Sequence, residues 1–461
     1  MKLPVAFKDV KNKLDNVGCG FCLAKWSQVT MHLHNGLTHS CHHPAPHKIP
    51  LKEIQLNPTA LHNTRHKKRQ RMAMLKGKRP KECDYCWNVE DNSDRFSDRV
   101  LKSAEPWSMN HFDDIVSKPW NTDYNPKYVE VSFSNTCNFK CSYCGPLFSS
   151  KWMDEVRSKG PYPTDDKFGR LDTLEEKGHI PYLQSEYNPY VEAFWKWWPE
   201  LYTDLDTFRI TGGEPLLSKD TWKLLDFIIQ SPEPNRNLKL SVNTNLGIPD
   251  NLFNKFVEKV DKLIEEERVK EFIIFTSVDG WGEQAEYIRN GLVFNKFWDN
   301  INTLLNKLPK VTVVLMSTYN MFSPFTYNKL IEGVYKLKKE YANKDRYWKH
   351  AIHLDTSYLR YPHHQTVQLL DSEHKELIRS NAELMYFKSS PVFNYNDLGF
   401  TTIEINKMKR IYDWSKSHID SKKLKLERNN LVKFVDEHDK RRGTNFLKTF
   451  PELEKFYYDN K

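Results

Sequence analysis

Residues 145 to 461 contain no cysteine; all eight in the chain lie at or before Cys144. A disulfide framework spreads through the domain it staples, so this distribution argues against one. Long apolar runs are also missing. No stretch approaches eighteen apolar residues, so no membrane span is expected. Met1 to Val10 lack the apolar core of a secretory signal. The expectation is a soluble, intracellular, cytoplasmic protein with no membrane partner. Charge of one sign is scarcely in excess: net +9 from 69 basic and 60 acidic residues. That admits an anionic partner without requiring one. Internal repeats and low-complexity tracts are absent.

What is present is length and a clustered set of thiols. A chain of 461 residues accommodates one large domain with one or two smaller ones and buries a core without staples. Aromatic residues make up 13% of it, including 13 Trp; they build large cores or line pockets for flat ligands, and composition does not choose. The cysteines are Cys19, Cys22, Cys41, Cys83, Cys86, Cys137, Cys141 and Cys144. In a reducing compartment such clustering reads as metal ligation.

Residues 15–92 read as a small Cys- and His-rich unit. Val29 to Leu33 alternate apolar and polar residues, as a half-buried strand does. Asn35-Gly36 follows as a tight-turn signal, and Leu37, His39 and Cys41 share one face of the returning strand. Asn57-Pro58 has the form of an N-cap with proline at the first helical position. The pattern predicts a helix from there to Lys76, stopped by Gly77 and delivering the chain to Cys83-Asp84-Tyr85-Cys86. Residues 93–127 are polar, with Pro106, Pro119 and Pro126, and read as a connector.

From residue 128 strands and helices alternate. The predicted strands are Tyr128–Ser134, Thr207–Thr211, Leu238–Asn243, Glu271–Val278, Lys310–Ser317 and His350–Asp355; Lys219–Gln230 and Asp250–Glu266 are predicted helices. Such alternation implies parallel βαβ units. The expected fold class is α/β: a partial (β/α)6 barrel over 128–360, with chemistry at the strands' C-terminal ends. Residues 145–206 are long for one connection and carry Phe194-Trp195-Lys196-Trp197-Trp198, read as core. Residues 361–461 read as a charged helical region, as in Leu424–His438.

Directly after the first of these strands comes Cys137-Asn138-Phe139-Lys140-Cys141-Ser142-Tyr143-Cys144. Three thiolates this close can wrap one metal cluster. A four-iron cluster is usually held by four cysteines; a local set of three leaves one iron open to a non-protein ligand. Alone, the three thiols also suit a zinc site or part of a ferredoxin-like cluster. The CxxxCxxC spacing, with Tyr143 before the last cysteine, resembles the signature of the radical S-adenosylmethionine (SAM) superfamily. Thr211-Gly212-Gly213-Glu214-Pro215, after the second strand, resembles that family's GGEP motif. Its glycines allow close backbone approach and its carboxylate suits an ammonium group.

The resemblance, over roughly residues 128–360, implies a barrel of the radical SAM type. Cys137, Cys141 and Cys144 would hold the catalytic 4Fe–4S cluster. Tyr143, Gly212, Gly213, Glu214, Asn243, Ser277, Asp279 and Arg289 would contact SAM. Read by residue type alone, Asn243 and Asn245 are turn residues capping the next helix, and Arg289 is equally a surface residue.

Cys22, Cys41, Cys83 and Cys86 form a second set of four thiols, able to hold a four-iron cluster or a zinc ion. Their hairpin, helix and spacing resemble the twitch and SPASM auxiliary-cluster domains of radical SAM enzymes. Those domains usually follow the barrel, whereas this one precedes it. A full SPASM domain holds two clusters and needs more cysteines, so twitch is the closer likeness. Cys19 is left over. His32, His34, His39, His42, His43 and His47 crowd the segment; most are read as solvent-facing or hydrogen-bonded. The basic run Arg65–Lys81 reads as a solvated helix face, with nucleic acid as the lesser alternative.

The implied activity is reductive cleavage of SAM and hydrogen abstraction from an unknown substrate, a peptide or protein being preferred. A reductant such as flavodoxin or ferredoxin would be a partner. RNA or nucleotide modification, and a non-catalytic zinc or iron–sulfur binding protein, are the alternatives.

Overall fold

The computed structural model describes residues 7–342, 350–389 and 399–461. Residues 1–6, part of the segment read for a secretory signal, lie outside the described residues. So do 343–349 of the expected barrel and 390–398 of the expected C-terminal region. In chain order the strands are β1 (Gln28–His32), β2 (Leu37–His39), β3 (His47–Lys48), β4 (Tyr128–Ser132), β5 (Lys140–Cys141), β6 (Thr207–Thr211), β7 (Lys239–Thr244), β8 (Glu271–Ser277), β9 (Arg289–Asn290), β10 (Thr312–Tyr319) and β11 (Ile352–Tyr358). With the helices between them they make a mixed α/β fold whose longer strands pair mostly in parallel. Among the described residues no helix is long and apolar enough to cross a membrane.

The chain divides into two units. The first comprises Met1–Ser134, His179–Ser241 and Glu267–Glu271; the second comprises Asn135–Gly178, Val242–Glu266 and Phe272–Lys461.

In the first unit β1 pairs antiparallel with β2 and parallel with β4, and β4 pairs parallel with β6. The register follows the alternation. Val29 faces Val129 and Met31 faces Val131, while Thr30 faces Glu130 and His32 faces Ser132. Val129 and Val131 in turn meet Phe208 and Ile210. A slip of one residue would put each apolar side chain on the polar face. The N-terminal hairpin therefore shares a sheet with the first two strands of the expected barrel. Beside the hairpin, Val10, Leu14, Phe21, Trp26, Met74 and Trp87 pack into a core that includes Cys83 and Cys86.

In the second unit β10 pairs parallel with both β8 and β11. The helices Phe294–Lys307 and Tyr327–Glu340 belong to this unit and bury Phe297, Ile301, Leu330 and Val334. Residues 399–461 form the helices Thr402–Ser415 and Ser421–Arg442 and shorter turns.

Two expectations need correction. The helix read from Asn57 to Lys76 is two elements. Asn57 caps a 3-10 turn, Pro58–Leu61, and Thr64 caps a separate helix, Arg65–Leu75. The break lets His62 reach the Trp26 carbonyl at 2.7 Å and Asn63 the Tyr124 carbonyl at 3.2 Å. The basic run on that helix is also not one solvated face. Lys67 and Arg71 are buried; Arg71 donates to Asn63 Oδ1 at 2.8 Å, and Lys67 Nζ lies 2.9 Å from His62 Nδ1.

Candidate active site

The loop after β4 belongs to the second unit from Asn135 onward. Its first anchor is Phe139, buried to 1% exposure. A Cβ on Gly247 would meet its ring at 2.4 Å, and one on Gly291 at 2.8 Å, so both glycines are needed for the fit. Its second anchor is an amide pair: Asn138 Nδ2 donates to the Gly247 carbonyl at 2.7 Å, and Asn245 Nδ2 to Asn138 Oδ1 at 2.8 Å. The loop then pairs as β5 with β9, setting Cys141 opposite Arg289. Ser142 N donates to the Ile288 carbonyl, and the Gln365 side chain bonds both Ser142 Oγ and the Ser142 carbonyl. Trp152 Nε1 donates to the Cys141 carbonyl at 2.8 Å.

Arg289 is buried and paired with Asp279, Nε to Oδ2 at 2.8 Å. Its Nη1 lies 3.7 Å from Cys141 Sγ. Asp279 also accepts from Tyr143 Oη at 2.8 Å and from the Thr318 amide at 2.7 Å. One carboxylate thus joins the CxxxCxxC loop, the end of β8 and β10. Burial pushes the Arg289 guanidinium down, but Asp279 outweighs it and holds it above its ordinary value. Burial pushes the Cys141 thiol up and the Cys144 thiol to about 12, while Arg289 and Arg442 pull both down. Buried thiols keep their protons until a cation replaces them, which is what a ligating metal does. Cys141 and Cys144 with this guanidinium support, and Cys137 on the same loop, have the donor chemistry of a three-cysteine iron–sulfur cluster. Asn243, next to last in β7, has Nδ2 3.8 Å from Met316 Sδ, and Ser277 ends β8 opposite Met316.

The Gly212-Gly213-Glu214-Pro215 turn lies in the first unit, after β6. Gly212 has φ +130°, and a Cβ there would meet the Ser134 carbonyl at 2.6 Å and Ser132 Oγ at 2.9 Å. Only glycine fits. Gly213 N donates to the Ser134 carbonyl at 3.1 Å. Glu214 is buried, accepts from the Leu216 amide at 3.0 Å and caps the following 3-10 turn.

In the same unit, Cys22, Cys41, Cys83 and Cys86 line one cavity, together with His43 and Arg99. Cys19 is elsewhere, exposed, with its thiol 2.9 Å from the Gly77 carbonyl. Burial pushes the Cys22, Cys83 and Cys86 thiols up to about 12. Among the described residues no group of three or more His, Cys, Asp and Glu side chains is arranged around one ion position. The four thiols, with Lys25 and Arg99 acting on them, have the donor chemistry of a thiolate-held metal group. Of the six crowded histidines only His43 lines the cavity; it stacks on Tyr85 at 3.7 Å and meets Asp98 at 2.7 Å. His34 is buried against Ser132 Oγ, His32 and His39 face each other, and His47 bonds Thr64. His42 stands 4.0 Å from Glu130.

A second cavity of the first unit, about 560 Å³, is walled by Tyr182, Tyr187 and Trp195 and carries Glu192, Lys219 and Lys223. Lys223 Nζ stands 4.0 Å above the Trp195 ring, and Trp195 Nε1 donates to Asp220. The rest of the aromatic run, Phe194, Trp197 and Trp198, is buried.

The CxxxCxxC loop and the GGEP turn both fall within residues 131–323. The model of the radical SAM superfamily matches residues 131–323 of the chain. This domain implies SAM cleavage with an iron–sulfur cluster. No curated protein matches the chain.

Four residues that hold the loop were not singled out from the sequence: Asn138, Phe139, Trp152 and Gln365. Asn138 and Phe139 lie inside the motif, where their position was the signal. Trp152 and Gln365 carry no local pattern that sets them apart.

Proposed function

We propose that this chain is a radical SAM enzyme with two four-iron clusters that acts on a peptide or protein. Cys137, Cys141 and Cys144 would hold the catalytic cluster, and Cys22, Cys41, Cys83 and Cys86 an auxiliary one in a twitch-like unit. Reduced by an external one-electron donor, a cluster held by Cys137, Cys141 and Cys144 would supply the chemistry of reductive SAM cleavage and hydrogen abstraction from substrate.

The observation that carries this reading is the join at Asp279, which binds Tyr143 of the cysteine motif and Arg289 beside Cys141. Asp279 fixes the guanidinium where a thiolate develops charge. Tyr143, buried and bonded to Asp279, keeps its proton and acts as a donor only. Phe139 and Trp152 cover the loop with apolar surface, which keeps water from a reactive group. Glu214 offers a carboxylate suited to the ammonium group of SAM. The cavity by Trp195 has aromatic walls and charges of both signs, features that suit a peptide. The burial of Lys67 and Arg71 removes two cations from the run that favoured nucleic acid.

The test is anaerobic reconstitution with iron and sulfide, an iron count, and an assay for 5′-deoxyadenosine after adding SAM and a strong reductant. The expected result is about eight irons per chain, with nucleoside formed by the unmutated protein and not by Cys137→Ala. About four irons with turnover kept would assign zinc to the N-terminal cysteines. A well-loaded protein that never cleaves SAM, with candidate peptides present, would promote the binding-protein reading.

A further inference from the structure

The C-terminal helix Ser421–Arg442 ends in Lys440-Arg441-Arg442, followed by Gly443-Thr444-Asn445. The run has no place in the radical SAM motifs. Its side chains make their contacts within the second unit, and these converge on the cysteine loop.

Gly443 closes the helix in the left-handed conformation, φ +67°, with its amide 2.8 Å from the Asp439 carbonyl. Asp439 then fixes the exit, accepting from Thr444 Oγ1 at 2.6 Å, the Phe446 amide at 2.6 Å and Tyr287 Oη at 3.1 Å. Arg441 donates to the carbonyls of Gly160 at 2.9 Å and Pro161 at 3.0 Å, just past the helix Ser150–Lys159. These contacts leave Arg442 little freedom.

Arg442 has a fully buried side chain. Its Nη1 donates to the carbonyl of Lys140, the residue before Cys141. Its Nη2 lies 3.2 Å from Glu155 Oε1. Its guanidinium carbon stands 4.8 Å from the centroid of Trp152, which itself donates to the Cys141 carbonyl. Glu155, 4% exposed, also binds Lys140 Nζ at 2.6 Å. Two cations therefore share one carboxylate behind the loop, and the group keeps a net charge of +1. The other buried pair at the loop, Arg289 with Asp279, is neutral.

We propose that Arg442 is a positioning residue of the catalytic centre, locking the cysteine loop through the Lys140 carbonyl and favouring the reduced, more negative form of its cluster. The inference rests on the assignment of that cluster to Cys137, Cys141 and Cys144. A fixed positive charge lowers the free energy of whichever oxidation state carries more negative charge, and it acts more strongly where water is excluded.

The sign of the charge makes this testable. Arg442→Gln leaves the group neutral and Glu155→Gln raises it to +2. A purely structural role moves both variants the same way; an electrostatic role moves them apart. The reconstituted chain would be titrated anaerobically, following the electron paramagnetic resonance signal of the reduced cluster. To isolate that cluster, the titration is repeated with Cys83→Ser in the background. Arg442→Gln should lower the reduced-to-oxidised ratio at fixed potential about tenfold, equivalent to about 59 mV for one electron. Glu155→Gln should raise it. Arg442→Lys, which keeps charge but not the forked geometry, should hold the potential near the unmutated value while altering the line shape, and it stands in if Arg442→Gln does not fold. Clusters loaded fully, with a potential indifferent to both Arg442→Gln and Glu155→Gln, overturn the inference alone. An unmutated chain that binds no iron at Cys137, Cys141 and Cys144 overturns the assignment and the inference together.

Discussion

Asp279 holds Arg289 by two contacts, Oδ2 to Nε at 2.8 Å and Oδ1 to Nη2 at 3.2 Å. Both side chains are buried, so neither charge has water to turn to. Removing one partner of such a pair strands the other and costs about 3–5 kcal/mol. Asp279→Asn also weakens the acceptor for Tyr143 Oη and for the Thr318 amide. The variant should unfold at clearly lower denaturant concentration and form 5′-deoxyadenosine at least tenfold more slowly. Chemical denaturation read beside the nucleoside assay checks both. Full stability with full turnover would remove Asp279 from the site.

Much of the strand pattern was legible because it is local. Thr207–Thr211 and the helix Lys219–Gln230 lie where the alternation and the 3.6-residue period place them. The pairing of β1 with β4 was not legible. Its register, Val29 to Val129 and Met31 to Val131, joins segments far apart in sequence, and alternation alone names no partner. The Cys motif was legible by spacing, whereas its supports were not. Arg442 reaches Lys140 across 302 positions, and the run Lys440 to Asn445 stands out in the sequence without naming that partner or a role. The broken helix at Asn57–Thr64 failed for another reason: Thr64 is a capping residue placed inside a run that otherwise reads as helix.

The four-thiol cavity separates Cys22 from Cys19 by placement. Cys22 lines it with Cys41, Cys83 and Cys86, and Cys19 is exposed against the Gly77 carbonyl. Cys83→Ser should lower the iron count by about four per chain if the site holds a four-iron cluster. Cys19→Ser should leave it unchanged. Zinc and iron measured together on both variants decide the metal as well as the ligand.

Gly212 meets two independent objections to a side chain. Its φ of +130° is unfavourable for other residues, and a Cβ would stand 2.6 Å from the Ser134 carbonyl. The carbonyl is backbone and cannot swing aside as a side chain would. Gly212→Ala should cost about 1–3 kcal/mol and weaken SAM binding. Gly77→Ala, at φ +71° with no atom within 4 Å of the added Cβ, isolates the backbone term. A SAM-binding isotherm and a thermal melt of each variant separate the clash from the strain. Equal effects of the two would dismiss the close approach at Gly212.

Glu155 gives the acid response of the loop. Burial pushes its carboxyl up, but the Arg442 guanidinium and Lys140 ammonium outweigh it and hold it down at about 2. A carboxyl whose folded value is depressed stabilises the fold above its unfolded value, about 4.3. That contribution disappears as pH falls through the folded value. The window is therefore pH 4.3 down to about 2, and the full contribution is on the order of 3 kcal/mol. Glu155→Gln never ionises, so its stability should change less across this window than that of the unmutated chain. It should also be the less stable of the two at neutral pH, where Lys140 and Arg442 lose their shared counter-charge. Denaturant unfolding of the metal-free chain at a series of pH values measures this without acid loss of a cluster. Parallel curves for the two proteins between pH 5 and 2 would show that Glu155 is not the group that couples the loop to acid.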